Sequence, residues 1–358
     1  MQRSTGNTMK AAVYYSNRDI RIEEVDDLPV GPGEVKVKVM ACGVCGSDVM
    51  EWYRMKRAGR PGGIGAFGHE CTGVIAEVGS GVNPKWKVGD RVVVTHHVPC
   101  NTCNACIRGH ATACATLQST KFRQGYGAFA EYVVLPAINV DRGMLRLPDS
   151  VSFDAGTFVE PLGCVVRGQQ FAPTSEGRSV LIVGAGITGL LHIQAARLNG
   201  AGFIAVSNPS PERLEIARKF GADATISAAD DVPERFRERN DGLGADTVIM
   251  TAPVPVCVQQ SLEAVGPGGT ILFFAPTKPE IQSEINLWKL WQKEVTITHS
   301  YAADFPNLQT ALTWIRHDRV NVADMITHVF PLNGTVEGFQ LTARHRDGSL
   351  KVIIHPQE

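Results

Sequence analysis

Hydrophobic and polar positions alternate in short runs over the first 150 residues, broken by Gly and Pro. Glu34–Val39 alternates with period two, as a strand with one face buried should. Val74–Val78 and Arg91–Val94 read as further short strands, and no long helical pattern comes before Phe153. From about residue 157 strands alternate with helices. Ser179–Val183 is a continuous strand run, apolar after its first residue, the pattern of a parallel strand covered on both faces. The spacing predicts a helix from Ile187 to Leu198, stopped by Gly200, and a strand at Phe203–Val206. Ser210-Pro211-Glu212 is a helix start, an N-cap followed by proline at the first helical position, with the end expected at Gly221. Asp246–Met250 and Thr270–Phe274 look like later strands of the same open parallel sheet. Beyond about residue 298 the alternation stops. Leu308, Leu312 and Ile315 share one helical face, and Leu350, Val352 and Ile354 fit a strand that rejoins the first domain. The division expected is 1–156, 157–298 and 299–358.

A chain of 358 residues suits about two cores. Its formal net charge of −1 gives no basic surface for nucleic acid or anionic membrane, and no apolar run is long enough to span a bilayer. Residues 1–8 are polar, lack the apolar core of a secretory signal, and read as an extension before the run that begins at Met9. The nine cysteines include four within fifteen residues, which suggests metal binding rather than a disulfide framework and points to the cytoplasm.

Gly184-Ala185-Gly186-Ile187-Thr188-Gly189 follows a buried strand and opens a helix, the context in which G-x-G-x-x-G binds a dinucleotide. The helix N-terminus offers unpaired N–H groups to a pyrophosphate. The next strand ends in Val206-Ser207-Asn208, with Asn208 where an acid would bind the adenosine ribose and repel a 2′-phosphate. Asn208 does not repel phosphate, and Arg213 either meets one or is a solvated helix arginine; the balance leans to NADP over NAD. Cys100, Cys103, Cys106 and Cys114, in a lobe spanning about 96–116, supply four thiolates for one tetrahedral Zn(II). Closed coordination makes that zinc structural. A dispersed set, Cys45 with Ser47 and Asp48, His69-Glu70 and Glu160, is united by no spacing rule.

The run Gly68-His69-Glu70 through Gly89-Asp90, the Cys42–Asp48 segment, the four-cysteine lobe and the glycine loop occur in one order. In that order the chain resembles the zinc-containing medium-chain dehydrogenase/reductase (alcohol dehydrogenase) family from Met9 onward. Glu160-Pro161-Leu162 and Gly127–Tyr132 resemble its sorbitol and threonine dehydrogenase branch. The resemblance implies an α/β chain with a GroES-like β-barrel catalytic domain and a Rossmann doubly wound parallel-sheet domain, with catalysis in the cleft between them. It implies a catalytic zinc on Cys45, His69 and Glu160, with Glu70 either a direct ligand or exchanging with Glu160. Asp48 would orient His69, and Ser47 would pass on the alcohol's proton. The implied reaction moves a hydride between a secondary alcohol, such as a polyol, cyclitol or sugar-derived alcohol, and NAD(P), giving a ketone. A threonine-type amino-alcohol dehydrogenase, a zinc-free reductase of the superfamily and a non-catalytic nucleotide-binding protein are the alternatives. A homo-oligomer, tetramer or dimer, is implied as well.

The chain departs from that pattern at three positions. Met50 stands where relatives carry a relay histidine, Glu51 where sorbitol dehydrogenases carry tyrosine, and Ala302 near their substrate arginine. Glu51 either meets a hydroxyl-rich or amine-bearing substrate or is a solvated carboxylate. Cys42, Cys71, Cys164 and Cys257 read as packing residues. His96 and His97 read as the end of a strand, and Trp288 and Trp291 as core or subunit interface.

Overall fold

In a computed structural model the described residues are 7–58, 67–120, 122–123, 127–344 and 348–358. Most of the expected N-terminal extension therefore lies outside them. The chain divides into two compact units, one of residues 1–163, 303–318 and 322–358, the other of 164–302 and 319–321. The boundaries fall at 163/164 and 302/303, where the sequence pattern places them at 156/157 and 298/299.

The first unit opens with an antiparallel ribbon of β1 (Thr8–Ser16) and β2 (Asp19–Asp26). Its main sheet takes β3 (Val35–Gly43), β4 (Glu70–Val78), β5 (Arg91–Val94), β6 (Tyr132–Leu135) and β7 (Met144–Arg146). The second unit holds β8 (Ser179–Val183), β9 (Phe203–Asn208), β10 (Ala224–Ser227), β11 (Ala245–Met250), β12 (Val265–Phe273) and β13 (Thr296–His299). The chain then returns to the first sheet with β14 (Ile326–Pro331) and β15 (Lys351–His355). Strand order is β14-β15-β3-β4-β5-β7 with β6 also on β3 in the first unit, and β10-β9-β8-β11-β12-β13 in the second. The second order, parallel throughout, is that of a dinucleotide-binding fold, with its switch point between β8 and β11.

Strand β3 has more neighbours than its alternation suggests. Val35, Val37 and Val39 are fully buried, yet so is most of Lys36, whose ammonium lies 2.8 Å from Asp27 and 3.6 Å from Glu77. A charged residue on the polar phase is thus held inward by its own counter-ions. The antiparallel register pairs Gly43 with Glu70 and Cys42 with Cys71, while β15 places Ile353 opposite Gly43. Those pairings bring the loop after β3, the start of β4 and the start of β15 to one place.

A helix at Glu51–Ala58 has no counterpart in the sequence reading, because its residues are mostly polar. The helix Ile187–Asn199 ends at Gly200 in the left-handed region (φ 98°), and Pro211–Lys219 is capped by Ser210, whose hydroxyl accepts from Arg213 N–H. For the indole pair, the core alternative falls. Trp288 and Trp291 are 62% and 71% exposed on the short helix Leu287–Gln292, so they are not core residues of this chain. No helix among the described residues is long and apolar enough to cross a membrane.

Candidate active site and metal centres

Cys100, Cys103, Cys106 and Cys114 bring their sulfurs within 4.8 Å of one another. The loop folds tightly enough for Cys103 Sγ to lie 3.5 Å from Cys106 Sγ, and Cys114 Sγ 3.6 Å from Cys100 Sγ. Hydrogen bonds from Thr102, and then the Cys103 amide, pull the Cys100 thiol down to about 5. Burial and the neighbouring Cys103 push Cys106 up to about 12. Backbone N–H groups favour the thiolate at Cys100 and, against its burial, at Cys114, while Cys106 resists ionising beside them, a repulsion that a dication removes. Four soft donors with no carboxylate among them fit a closed zinc site.

The second cluster is Cys45, His69 and Glu70, again with ligand atoms within 4.8 Å of one another. Cys45 comes from the loop after β3, and His69 and Glu70 from the entry to β4, so the β3–β4 register assembles them. Glu160, in the first turn of the helix Val159–Phe171, is not in this group. It lies near enough to Lys351 to raise that residue's pKa. A thiolate, an imidazole and a carboxylate form a donor set suited to a zinc that keeps an open position.

Asp48 is the hub behind this cluster. It is fully buried, its Oδ2 accepts from Cys45 N–H at 2.9 Å, and its Oδ1 lies 3.5 Å from His69 Nδ1. That leaves His69 Nε2 as the ring nitrogen to offer a metal. Burial would raise the Asp48 pKa, but the adjacent Arg54 charge and then His69 reverse this and hold it below the usual carboxylate range. Ser47 donates through Oγ to Cys45 Sγ at 3.4 Å.

Two residues here, Arg54 and Lys351, have no part in the sequence reading. Arg54, 1% exposed, donates from Nη2 to Asp48 Oδ1 at 2.5 Å and to Ser47 Oγ at 2.9 Å. Lys351, also 1% exposed, pairs its ammonium with Glu70 Oε2. Gly43 makes room for that pair, since a Cβ there would meet both Glu70 Oε2 and the Lys351 side chain. His96 lies just past the end of β5, as expected of a strand terminus, but it is buried with its ring 5.2 Å from that of His69. The isolated charge that opens the apolar run Lys351–Ile354 is the one local signal for either of the two.

In the second unit the glycine loop joins β8 to the helix Ile187–Asn199. Gly184 sits at φ 113°, and a Cβ there would come 2.5 Å from Thr251 Oγ1. A Cβ on Gly189 would overlap the Gly184 carbonyl. At Gly186 the only atom of the described residues that a Cβ would approach is Arg213 Nη1, at 3.8 Å. The space over Gly186 is therefore open, and the N-cap side chain is absent there, leaving first-turn amides of Ile187 and Thr188 for an anion. These features fit a dinucleotide pyrophosphate. Ser207 is buried in β9, and its carbonyl accepts from Gly184 N–H at 2.9 Å. Asn208 Oδ1 accepts from Ser210 N–H at 2.9 Å, which fixes the turn. Arg213 is not a freely solvated side chain. It reaches back over the loop, with Nη1 3.4 Å from the Ala185 carbonyl, and burial lowers its pKa.

The family described as alcohol dehydrogenase GroES-like domain matches residues 31–149, and that described as zinc-binding dehydrogenase matches 188–317. The chain is 31% identical to the sorbitol dehydrogenase of Bacillus subtilis (strain 168), over 99% of both sequences. It is 34% identical to the L-threonine 3-dehydrogenase of Pyrococcus abyssi (strain GE5 / Orsay), over 92% of this chain and 94% of that one. Among solved structures it resembles an alcohol dehydrogenase of E. coli CFT073 complexed with NADH, at 28% identity and a TM-score of 0.84, covering 98% of this chain and 100% of the other. With a GroES-like unit, a nucleotide-binding sheet and two donor clusters suited to zinc, the chain belongs to the zinc-binding alcohol dehydrogenase family.

Proposed function

We propose that the protein oxidises a secondary alcohol of the polyol, cyclitol or sugar type to its ketone, and catalyses the reverse reduction. The observation that carries this reading is the joining of Cys45, His69 and Glu70 into one donor cluster beside Ser47. When bound there, zinc supplies a Lewis acid for the substrate oxygen, and NAD(P) supplies the hydride acceptor. Cys45, His69 and Glu70 hold the metal, and Glu160 takes Glu70's place when that carboxylate stays with Lys351. Asp48 fixes the imidazole tautomer, and Ser47 Oγ holds the proton that leaves the alcohol. The thiolate lobe binds a second, structural zinc. On the nucleotide side, Gly184, Gly186 and Gly189 with the amides of Ile187 and Thr188 take the pyrophosphate. Ser207, Asn208 and Arg213 form the ribose end.

NADP is favoured over NAD because Asn208 carries no charge against a 2′-phosphate and Arg213 already lies over the loop. Asn208→Asp shifts the kcat/KM ratio toward NAD; an unchanged ratio places the choice elsewhere. The chain works in the cytoplasm and as a homo-oligomer. Leu287, Trp288 and Trp291 are exposed beside the edge strand β13, a surface that a second copy would cover. Light scattering that gives a monomer's mass removes this last claim.

The function is tested with a panel of polyols, cyclitols, sugar alcohols and simple secondary alcohols, run with NAD and NADP in parallel and followed by reduced-nicotinamide absorbance. L-Threonine belongs in the panel, given the likeness to a threonine dehydrogenase. Turnover of threonine alone moves the substrate class to amino alcohols. A zinc-loaded, cofactor-binding protein inert to the whole panel refutes the enzyme reading.

A further inference from the structure

A buried arginine next to a proton-handling hydroxyl needs its own explanation. Arg54 makes no use of solvent. Its Nε donates to the Ser47 carbonyl at 2.9 Å, and its Nη2 to both Ser47 Oγ at 2.9 Å and Asp48 Oδ1 at 2.5 Å. The side chain issues from the helix Glu51–Ala58, which begins six residues after Cys45 and whose first turn is closed by Arg54 N–H donating to Met50 O at 3.0 Å.

The chemistry of guanidinium makes this arrangement directional. It is a donor only and keeps its charge in a protein. A serine hydroxyl has one proton and two lone pairs. With Arg54 occupying one lone pair, the Ser47 proton has to point away from Arg54. In the structure it points to Cys45 Sγ, 3.4 Å away, on the side of the donor cluster. The same Nη2 holds the carboxylate that accepts from Cys45 N–H and faces His69. One planar fork therefore fixes the direction of the hydroxyl and the position of the carboxylate behind two of the three clustered donors. Lysine, a point donor on a flexible stem, does not reproduce such a grip.

We propose that Arg54 is a positioning residue of the dehydrogenase reaction, orienting the Ser47 hydroxyl toward the metal side and locking Asp48 behind Cys45 and His69. The inference rests on the function proposed above. It goes beyond it in assigning the direction of the proton at Ser47: onward transfer leaves by a route other than Arg54, since a guanidinium cannot accept a proton.

The test uses full-length, metal-replete protein in four forms: wild type, Arg54→Lys, Ser47→Ala and the double variant. The catalytic metal is also exchanged for Co(II), so that its visible absorption reports the ligand field. For Arg54→Lys we expect kcat to fall about 10²-fold, a loss of the size of general acid–base assistance. KM should stay within about threefold, because the residue does not touch substrate. The Co(II) band should shift through Asp48, and the double variant should be slower than Ser47→Ala by well under 10²-fold, because much of the Arg54 effect passes through the Ser47 hydroxyl. Should Arg54→Lys not yield folded protein, Arg54→Gln carries the same measurements. Losses that multiply in the double variant, or an Arg54 variant with wild-type kcat and an unmoved Co(II) band, overturn the assignment. A wild-type protein that binds metal at Cys45 but turns over no alcohol would instead defeat the function itself.

Discussion

Replacing Lys351 by Met tests how the buried charges of the donor cluster are balanced. Lys351 and Glu70 are each about 1% exposed, and the ammonium also faces Cys45 and Glu160. Burial alone would lower the Lys351 pKa; Glu70 and then Cys45 reverse this and raise it. Two unit charges about 4 Å apart attract by about 4 kcal/mol at an effective dielectric of 20. Removing one member of such a pair costs about 3–5 kcal/mol, because the other is left uncompensated. Lys351→Met should therefore lower the urea midpoint by on the order of 1 M at ordinary denaturant slopes. Glu70→Gln/Lys351→Met, which removes both charges, should recover most of that loss, giving a coupling of about 2–3 kcal/mol. The assay is urea denaturation of the four proteins of the cycle in one buffer with a fixed excess of zinc. Strictly additive losses would refute the reasoning, since the pair would then carry no energy of its own.

Further consequences follow from the same structure. Gly186→Ala should fold normally and bind NAD(P) at least tenfold more weakly, whereas Gly189→Ala should lose stability, because its Cβ overlaps the Gly184 carbonyl; calorimetry with cofactor titration separates the two. Cys103→Ser should bring the zinc content down by one ion per chain while the Cys45 site still loads, as read by elemental analysis. His192 is fully buried, and burial pulls its pKa to about 3. Its folded-state value lies below the unfolded 6.5, so the unfolded chain takes up the proton first and stability falls with pH from about 6.5 toward 3. At pH 5 that term alone costs about 2 kcal/mol, so His192→Phe should unfold later than wild type in acid and show no such advantage at pH 8.

Features written within a few residues were legible in the sequence. The glycine loop is one strand, one turn and one helix, each with its own signature, and the thiolate lobe is four cysteines in one short loop. The Cys45, His69 and Glu70 cluster was reached only through family resemblance, because its geometry comes from the β3–β4 register rather than from spacing. Glu70 is the clustered carboxylate, and Glu160 is felt only as a weaker charge on Lys351, a difference that side-chain packing makes and sequence does not. Lys351 meets Glu70 across 281 residues because β15 returns to lie against β3. Arg54 is hidden in a short helix, half of whose eight residues are charged, where nothing marks one arginine as buried. Trp288 and Trp291 show a further limit: aromatic residues three apart look the same in a core helix and in an exposed one.

The central claim is best tested by diffraction from metal-replete crystals on both sides of the zinc absorption edge. The account predicts two anomalous peaks per chain, one within about 2.0–2.3 Å of Cys45 Sγ and a nitrogen of His69, the other among Cys100, Cys103, Cys106 and Cys114. An active preparation with zinc in the thiolate lobe alone, and none at Cys45, would contradict it.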